Sequence, residues 1–264
     1  MIYKGMYYTK RFILQYLAKY KTLTFLFHKL WIFFCYLRSK YQYIKFFKLN
    51  KKINSLSDRG QDKWVIDIFE LKNKKYKGFF LEIGAGDGFS NSNSFILENY
   101  YNWRGILVEP DPEQFKILKK NRPKAKLANK LIYENQKNLP FHINGELSKI
   151  VEKKINSKNI LVLKSISLKN LLKSYNAPHN IDFFSLDVEG SEDNVLTEDV
   201  LNNYTFLSLC IERPSYKLHK LLKKKNYYFI RSNIYDFFYI NKKLKNFKKI
   251  YAKRKQLSAI YKNK

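Results

Sequence analysis

The stretch that most restricts the fold is FFLEIGAGDGFSNSNSFILE, residues 79–98. An apolar run from Phe79 to Ile83 ends in three glycines at alternate positions, Gly84, Gly86 and Gly88. Ser90, Asn91 and Ser92 then offer an entry to a helix. Strand, tight turn and helix in that order make the entry to a nucleotide-type ligand site in an open α/β sheet.

The spacing also narrows the ligand. A dinucleotide site spaces its glycines G-x-G-x-x-G so that helix amides meet a pyrophosphate. Here the spacing is G-x-G-x-G and Asp87 stands inside the turn, where a carboxylate repels phosphate. With Glu82 just before the turn, the acids suit a ligand with a cationic amino-acid end and a ribose. S-adenosylmethionine is such a ligand. Downstream, RGILVEP (Arg104 to Pro110) reads as a second buried strand ending in Glu109, about where an acid accepts hydrogen bonds from ribose hydroxyls in such folds.

The 264 residues suffice for one α/β domain with extensions. A formal charge of +29 is concentrated at the ends. Twelve of the 51 Lys and Arg precede Asp58, the first acid, and ten follow Asp236, the last, so the middle sets 29 basic against 22 acidic side chains. Three parts are therefore expected: a basic, aromatic arm over 1–57, a catalytic domain over 58–240, and a basic tail over 241–264, helical in part. In the arm, TLTFLFHKLWIFFCYL (Thr22 to Leu37) is broken by His28 and Lys29 and is shorter than a spanning helix. No small-residue cleavage site follows it, so a secretory signal is not expected. The arm suits either an anionic membrane surface or packing on the domain or a second subunit. Cys35 and Cys210 form no disulfide framework or zinc spacing, which fits a reducing compartment. The expected location is cytoplasmic, with the inner face of the membrane as a peripheral site.

Around the glycine turn, SLSDRGQDKWVIDIFELKN predicts a helix starting near Ser57 or Asp58 with Trp64, Ile66, Ile68, Phe69 and Leu71 inward. Further helices are expected over about 92–101, in PEQFKILKKN with Asp111 as N-cap and Pro112 first, and over Leu168 to Tyr175. Strands are expected over 105–109 and Ile181 to Leu186, and in TFLSLCIERP, YYFIR and DFFYI. The stretch 124–165 offers short strands around Lys126 and Phe141 and a lysine-rich link. The alternation predicts a doubly wound, mostly parallel sheet with an antiparallel pair at its far end. FFSLDVEGSE then puts Asp187, Glu189 and Glu192 where a strand ends and the ligand crevice opens, although Glu192 also suits a helix cap.

Taken together, LEIGAGDGFSNSNSFILE, NWRGILVEPDPEQFKILKKNRP and IDFFSLDVEGSEDNVL resemble the FkbM family of S-adenosylmethionine-dependent methyltransferases, in the same order and with similar separations. SLSDRGQDKWV resembles the segment that precedes the turn in one branch of that family. The resemblance covers about residues 55–240. Gly86 stands where the family commonly has asparagine and Ser94 where it has threonine; neither change removes a needed group. The resemblance implies a class I methyltransferase (Rossmann-like) fold and methyl transfer to an oxygen, often on a sugar, glycan or polyketide hydroxyl. By matching positions it implies that Glu82, Gly84, Gly86, Asp87 and Glu109 hold the cofactor and that Ser92 and Asn93 line the turn beside it; Asp187 is also expected as an alternative ligand for the methionine end.

A hydroxyl acceptor gains from losing its proton as it attacks, so Asp187 or Glu189 is the expected general base. Loop residue His179 is an outsider, His219 reads as surface, and Glu212 could reach the pocket rim. The acids could also hold a divalent ion, but no spacing demands a metal. The expected acceptor is a saccharide or another hydroxyl-bearing small molecule, with a lipid-linked saccharide favoured if the arm meets a membrane. Two other readings compete. A nucleic-acid methyltransferase suits the basicity, but D-V-E-G stands where amino-methylating enzymes of that kind carry Asn or Asp followed by Pro-Pro and an aromatic. A non-catalytic binding module would not require the intact glycine turn and ribose acid.

Overall fold

The structure, a computed structural model, describes residues 55–72, 75–151 and 159–254 together with Leu30. The chain divides into two units, Met1–Lys52 and Ile53–Lys264, and the elements named here belong to the second. Apart from Leu30, residues 1–54 of the expected arm, Cys35 among them, lie outside the described residues, as do 255–264 of the expected tail and 152–158 of the lysine-rich link. No helix among the described residues is long and apolar enough to cross a membrane.

In chain order, α1 (Gln61–Ile68) precedes β1 (Phe79–Ile83), α2 (Phe95–Tyr101), β2 (Arg104–Val108), α3 (Pro112–Asn121) and β3 (Lys126–Ala128). An insert follows, made of β4 (Leu131–Ile132), β5 (Asn138–His142), β6 (Lys149–Ile150) and β7 (Ile160–Ile166). Next come α4 (Leu168–Ser174), β8 (Asn180–Leu186), α5 (Glu192–Val195), α6 (Glu198–Asn203) and β9 (Thr205–Glu212). The domain closes with α7 (Tyr216–Lys224), β10 (Tyr227–Ser232), β11 (Asp236–Asn241) and α8 (Phe247–Ala252).

Seven strands form one sheet in the order β10-β11-β9-β8-β1-β2-β3. It is parallel from β3 to β9, and β11 runs antiparallel to both its neighbours. This is the doubly wound class I methyltransferase sheet, with its antiparallel pair at the far end. Central strands buried on both faces read as unbroken apolar runs because helices cover each side. Leu81, Ile106, Phe184 and Leu209 are fully buried in this core. Each such side chain contributes about 1.5–3 kcal/mol by leaving water.

Local chemistry moves some expected boundaries. α1 starts at Gln61, not near Ser57, because the buried Asp62 carboxylate gathers the Leu56 and Ser57 amides and the Ser57 hydroxyl at 2.7, 3.2 and 2.6 Å. Residues 55–57 therefore wrap around Asp62, and Gly60 enters the helix at φ 74°. α3 begins as expected: the Asp111 carboxylate accepts from the Glu113 amide at 2.9 Å, and Pro112 leads the helix. The stretch 124–165 holds more than two short strands. β3 joins the main sheet, while β4, β7, β5 and β6 build a second sheet of four strands.

Candidate active site

After β3 the chain returns through the insert and α4 to place β8 on the other side of β1. That reversal opens a crevice at the carboxyl ends of β1 and β8. Gly84 and Asp187 meet there. The Asp187 amide donates to the Ile83 carbonyl at 3.1 Å, and the Gly84 amide donates to the Val108 carbonyl at 3.0 Å. A Cβ on Gly84 would stand 2.0 Å from the Asp187 carbonyl oxygen, at φ +84°, so only glycine fits. Gly86 is the opposite case: a Cβ there would meet nothing within 4 Å, which leaves open space over the turn.

Behind the turn lies a buried polar network. Glu82 accepts from the Ser92 hydroxyl at 3.1 Å, the Asn93 amide at 2.9 Å and the Ser94 hydroxyl. Arg122, fully buried, pairs with Glu98 and donates to the Gly88 carbonyl at 3.0 Å, the Ser92 hydroxyl at 3.1 Å and the Ser94 hydroxyl at 3.0 Å. Glu82 and Ser92 thus organise the entry to α2, which delays that helix to Phe95. Asn93 stands at the edge of this network. Its side-chain amide donates to the Ser185 hydroxyl at 2.8 Å, and its buried Oδ1 has no hydrogen-bond partner among the described residues.

Asp87 and Glu109 hold the turn from its other side. Asp87 accepts from the Phe89 and Ser90 amides at 2.8 and 2.7 Å and from the Ser90 hydroxyl at 2.8 Å. Glu109 accepts from the Gly86 and Asp111 amides, both at 2.8 Å. Burial pushes the Glu109 carboxyl up to about 7, against the opposing pull of those two amides. A carboxylate has about four lone-pair sites, so acceptor capacity remains.

Across the crevice the acids crowd. Asp187, Glu189 and Glu212 offer carboxylate oxygens within 4.8 Å of one another, a spacing that lets acids share a proton or a cation. Desolvation in the crevice, then the charge and hydrogen bond of Glu212, push the Asp187 carboxyl well above the usual carboxylate range, although the residue can still be reached by solvent. Glu189 is also raised, first by desolvation and then by Glu212, while Arg213 acts in the opposite direction. Arg213 bridges Glu189 at 3.3 Å and Glu212 at 3.4 Å. Glu189 and Arg213 both adopt left-handed backbone, at φ 53° and 42°, a strain that concentrates at functional sites. Glu192 turns away from the trio: it accepts from the Gly190 amide at 3.1 Å and holds the D-V-E-G loop.

The rim next to the trio is aromatic and basic. Tyr235 carries the Arg213 guanidinium 4.3 Å and the Arg59 guanidinium 4.4 Å from its ring centre. Gln61 ties the Arg59 loop to Asp236 at 3.2 Å, and Asp236 pairs in register with Glu212. Sequence reasoning passed over Arg59, Arg213 and Tyr235. The available signals were SLSDRGQD ahead of the turn and CIERP at a neighbouring strand end. Two histidines lie elsewhere: His179 stacks on Tyr204, and His219, expected at the surface, is half-buried with Nδ1 3.1 Å from the Tyr239 hydroxyl. The insert contributes a cavity of about 280 Å³ lined by Lys130, Gln136, Lys164, Ser165, Ile166, Ser167 and Asn170.

A family model described as the methyltransferase FkbM domain matches residues 82–225. Among solved structures, the METTL16 methyltransferase domain is similar at 15% identity and a TM-score of 0.40, over 67% of this chain and 63% of that one. A precorrin-6y C5,15-methyltransferase from Geobacter metallireducens is similar at 10% identity and 0.38, over 67% and 88%. A TehB-like S-adenosylmethionine-dependent methyltransferase from Corynebacterium glutamicum follows at 11% and 0.35, over 78% and 99%. The chain thus spans less than two thirds of the METTL16 domain's length. No curated protein matches it.

Proposed function

This chain belongs to the FkbM family of S-adenosylmethionine-dependent methyltransferases, and we propose that it methylates a hydroxyl oxygen of a saccharide, with Asp187 as the general base. The observation that carries this reading is the acid trio standing directly against the glycine turn, with Asp187 touching Gly84. The residues of the turn fit the cofactor. Gly86 leaves open space, Asn93 Oδ1 is an acceptor without a donor among the described residues, and Glu109 keeps acceptor capacity for ribose hydroxyls. In this reading Gly84, Gly86, Asp87, Asn93 and Glu109 line the cofactor, while Glu82 and Ser92 hold the turn in shape.

Bound there, S-adenosylmethionine supplies a methyl group already activated by its sulfonium. The remaining work of the chain is orientation and proton removal. Asp187 takes the hydroxyl proton because a carboxyl raised above its ordinary range is a stronger base than an ordinary one. Desolvation raises it first, and the charges of Glu212 and then Glu189, which Arg213 bridges, add to that shift. The carboxylates at the mouth disfavour a phosphate-rich acceptor near the reaction centre, which supports a saccharide over nucleic acid.

The test is methyl transfer from labelled S-adenosylmethionine to a panel of saccharides, oligonucleotides and amines. Label in an alkali-stable methyl ether on a saccharide is the expected product. Label only on a nucleobase or an amine would overturn the reading. The basic, aromatic stretch before residue 55 supports a peripheral contact with an anionic membrane, which would bring the enzyme to lipid-linked saccharides. That contact requires loss of anionic vesicle binding when residues 1–52 are removed; equal partitioning of both forms would refute it.

A further inference from the structure

The segment Asn121-Arg122-Pro123 ends α3 and has no part in the chemistry described so far. It nevertheless reaches the glycine turn at two adjacent carbonyls. The Asn121 side-chain amide donates to the Asp87 carbonyl at 2.8 Å, and the Arg122 guanidinium donates to the Gly88 carbonyl at 3.0 Å. We propose that Asn121 and Arg122 are positioning residues that hold the cofactor turn from behind and set the affinity for S-adenosylmethionine. This inference rests on the cofactor reading given above.

Three features argue for it. First, contact is close: a Cβ on Gly88 would stand 2.3 Å from Leu118 Cδ1 and 2.8 Å from Arg122 Cγ, so the turn is seated directly on the end of α3. Second, Arg122 is anchored on both sides, by Glu98 and by cation–π contacts 5.5 Å from the ring centres of Phe80 and Phe95. A planar guanidinium with five fixed donors can hold the Gly88 carbonyl and the Ser92 and Ser94 hydroxyls together; a lysine ammonium cannot match that fork. Third, the two ends of the ligand site meet at this clamp. Ser92 and Ser94 also bond Glu82, which fixes the Asn93 amide, while Asp87 and Gly88 lead back to Gly86 and Glu109. A binding site holds its ligand only as well as the residues behind it hold the site.

S-adenosylhomocysteine binding to the full chain tests the proposal by calorimetry, with thermal unfolding measured on the same samples. Asn121→Ala and the isosteric Asn121→Asp each remove the donor to Asp87, and each is expected to weaken binding about tenfold, the equivalent of one hydrogen bond. Arg122→Lys keeps the charge but breaks the fork, and is expected to weaken binding more. Ile250→Ala, in α8 and apart from the turn, serves as the stability control: it should lower the melting temperature and leave affinity within about twofold. Wild-type affinity in both Asn121 variants would overturn the proposal, as would an equal loss in the Ile250 control. If Arg122→Lys does not fold, the Asn121 pair decides alone. No binding by the wild-type chain would instead remove the cofactor reading itself.

Discussion

The two walls of the crevice follow opposite rules. On the β1–β2 wall, the turn's acids meet donors: Glu82 meets two hydroxyls and an amide, Glu109 two amides, and Arg122 a carboxylate, a carbonyl and two hydroxyls. On the β8–β9 wall, three carboxyls crowd together and one guanidinium bridges two of them, two residues sit in left-handed backbone, and Glu212 Oε2 is buried without a hydrogen-bond partner among the described residues. A wall whose acids are each met by donors is rigid, and among the described residues it leaves the Asn93 Oδ1 acceptor open for a ligand. A wall of crowded like charges raises pKa values and can move a proton. The same residue type, a carboxylate at a strand end, thus serves as scaffold or as reagent according to what surrounds it.

Replacing the reagent should have the largest effect. Asp187→Asn keeps the shape and is expected to lower methyl transfer by about two to four orders of magnitude, with S-adenosylhomocysteine affinity nearly unchanged. Steady-state rates on the identified acceptor check this, and an unchanged rate would move the base to Glu189. On the scaffold wall the loss should appear in stability. Arg122→Ala strands Glu98 in the core and is expected to cost about 3–5 kcal/mol in urea unfolding. A cost under about 1 kcal/mol would mean that the network is not a scaffold.

The folded Glu109 carboxyl sits at about 7, against an ordinary 4.5, so the folded state binds the extra proton between those values. Stability from this group is full below about pH 4.5 and falls as pH rises through about 7. Glu109→Gln should flatten that slope; an identical slope in the variant would show that other groups set it. The smallest stability effect is expected at the rim. Arg213→Ala, half-exposed, should cost less than about 1 kcal/mol while turnover falls about tenfold. A large loss of stability would place the acid wall among the scaffolds.

What could be read in the sequence was local. β1, β2 and β8 declare themselves as apolar runs, α3 by the Asp111 cap, and the crevice by glycines and acids at strand ends. The insert was largely hidden because β4 and β6 are two residues long and β4 pairs with β7 across more than thirty residues, Leu131 with Ser165. Asp62 moved the start of α1 by gathering amides that come before it in the chain. Nothing local reveals that Ser92, Asn93 and Ser94 donate to Glu82. Glu212 was legible as a rim acid, but its closeness to Asp187 follows from the pairing of β8 with β9.

Whether the glycine turn holds S-adenosylmethionine is decided by calorimetric titration of the full chain with S-adenosylhomocysteine, alongside NADH and the Glu109→Ala variant. Micromolar binding of S-adenosylhomocysteine, clear weakening in the variant and no binding of NADH are expected. Equal binding of both ligands, or no binding of S-adenosylhomocysteine, would contradict the cofactor reading.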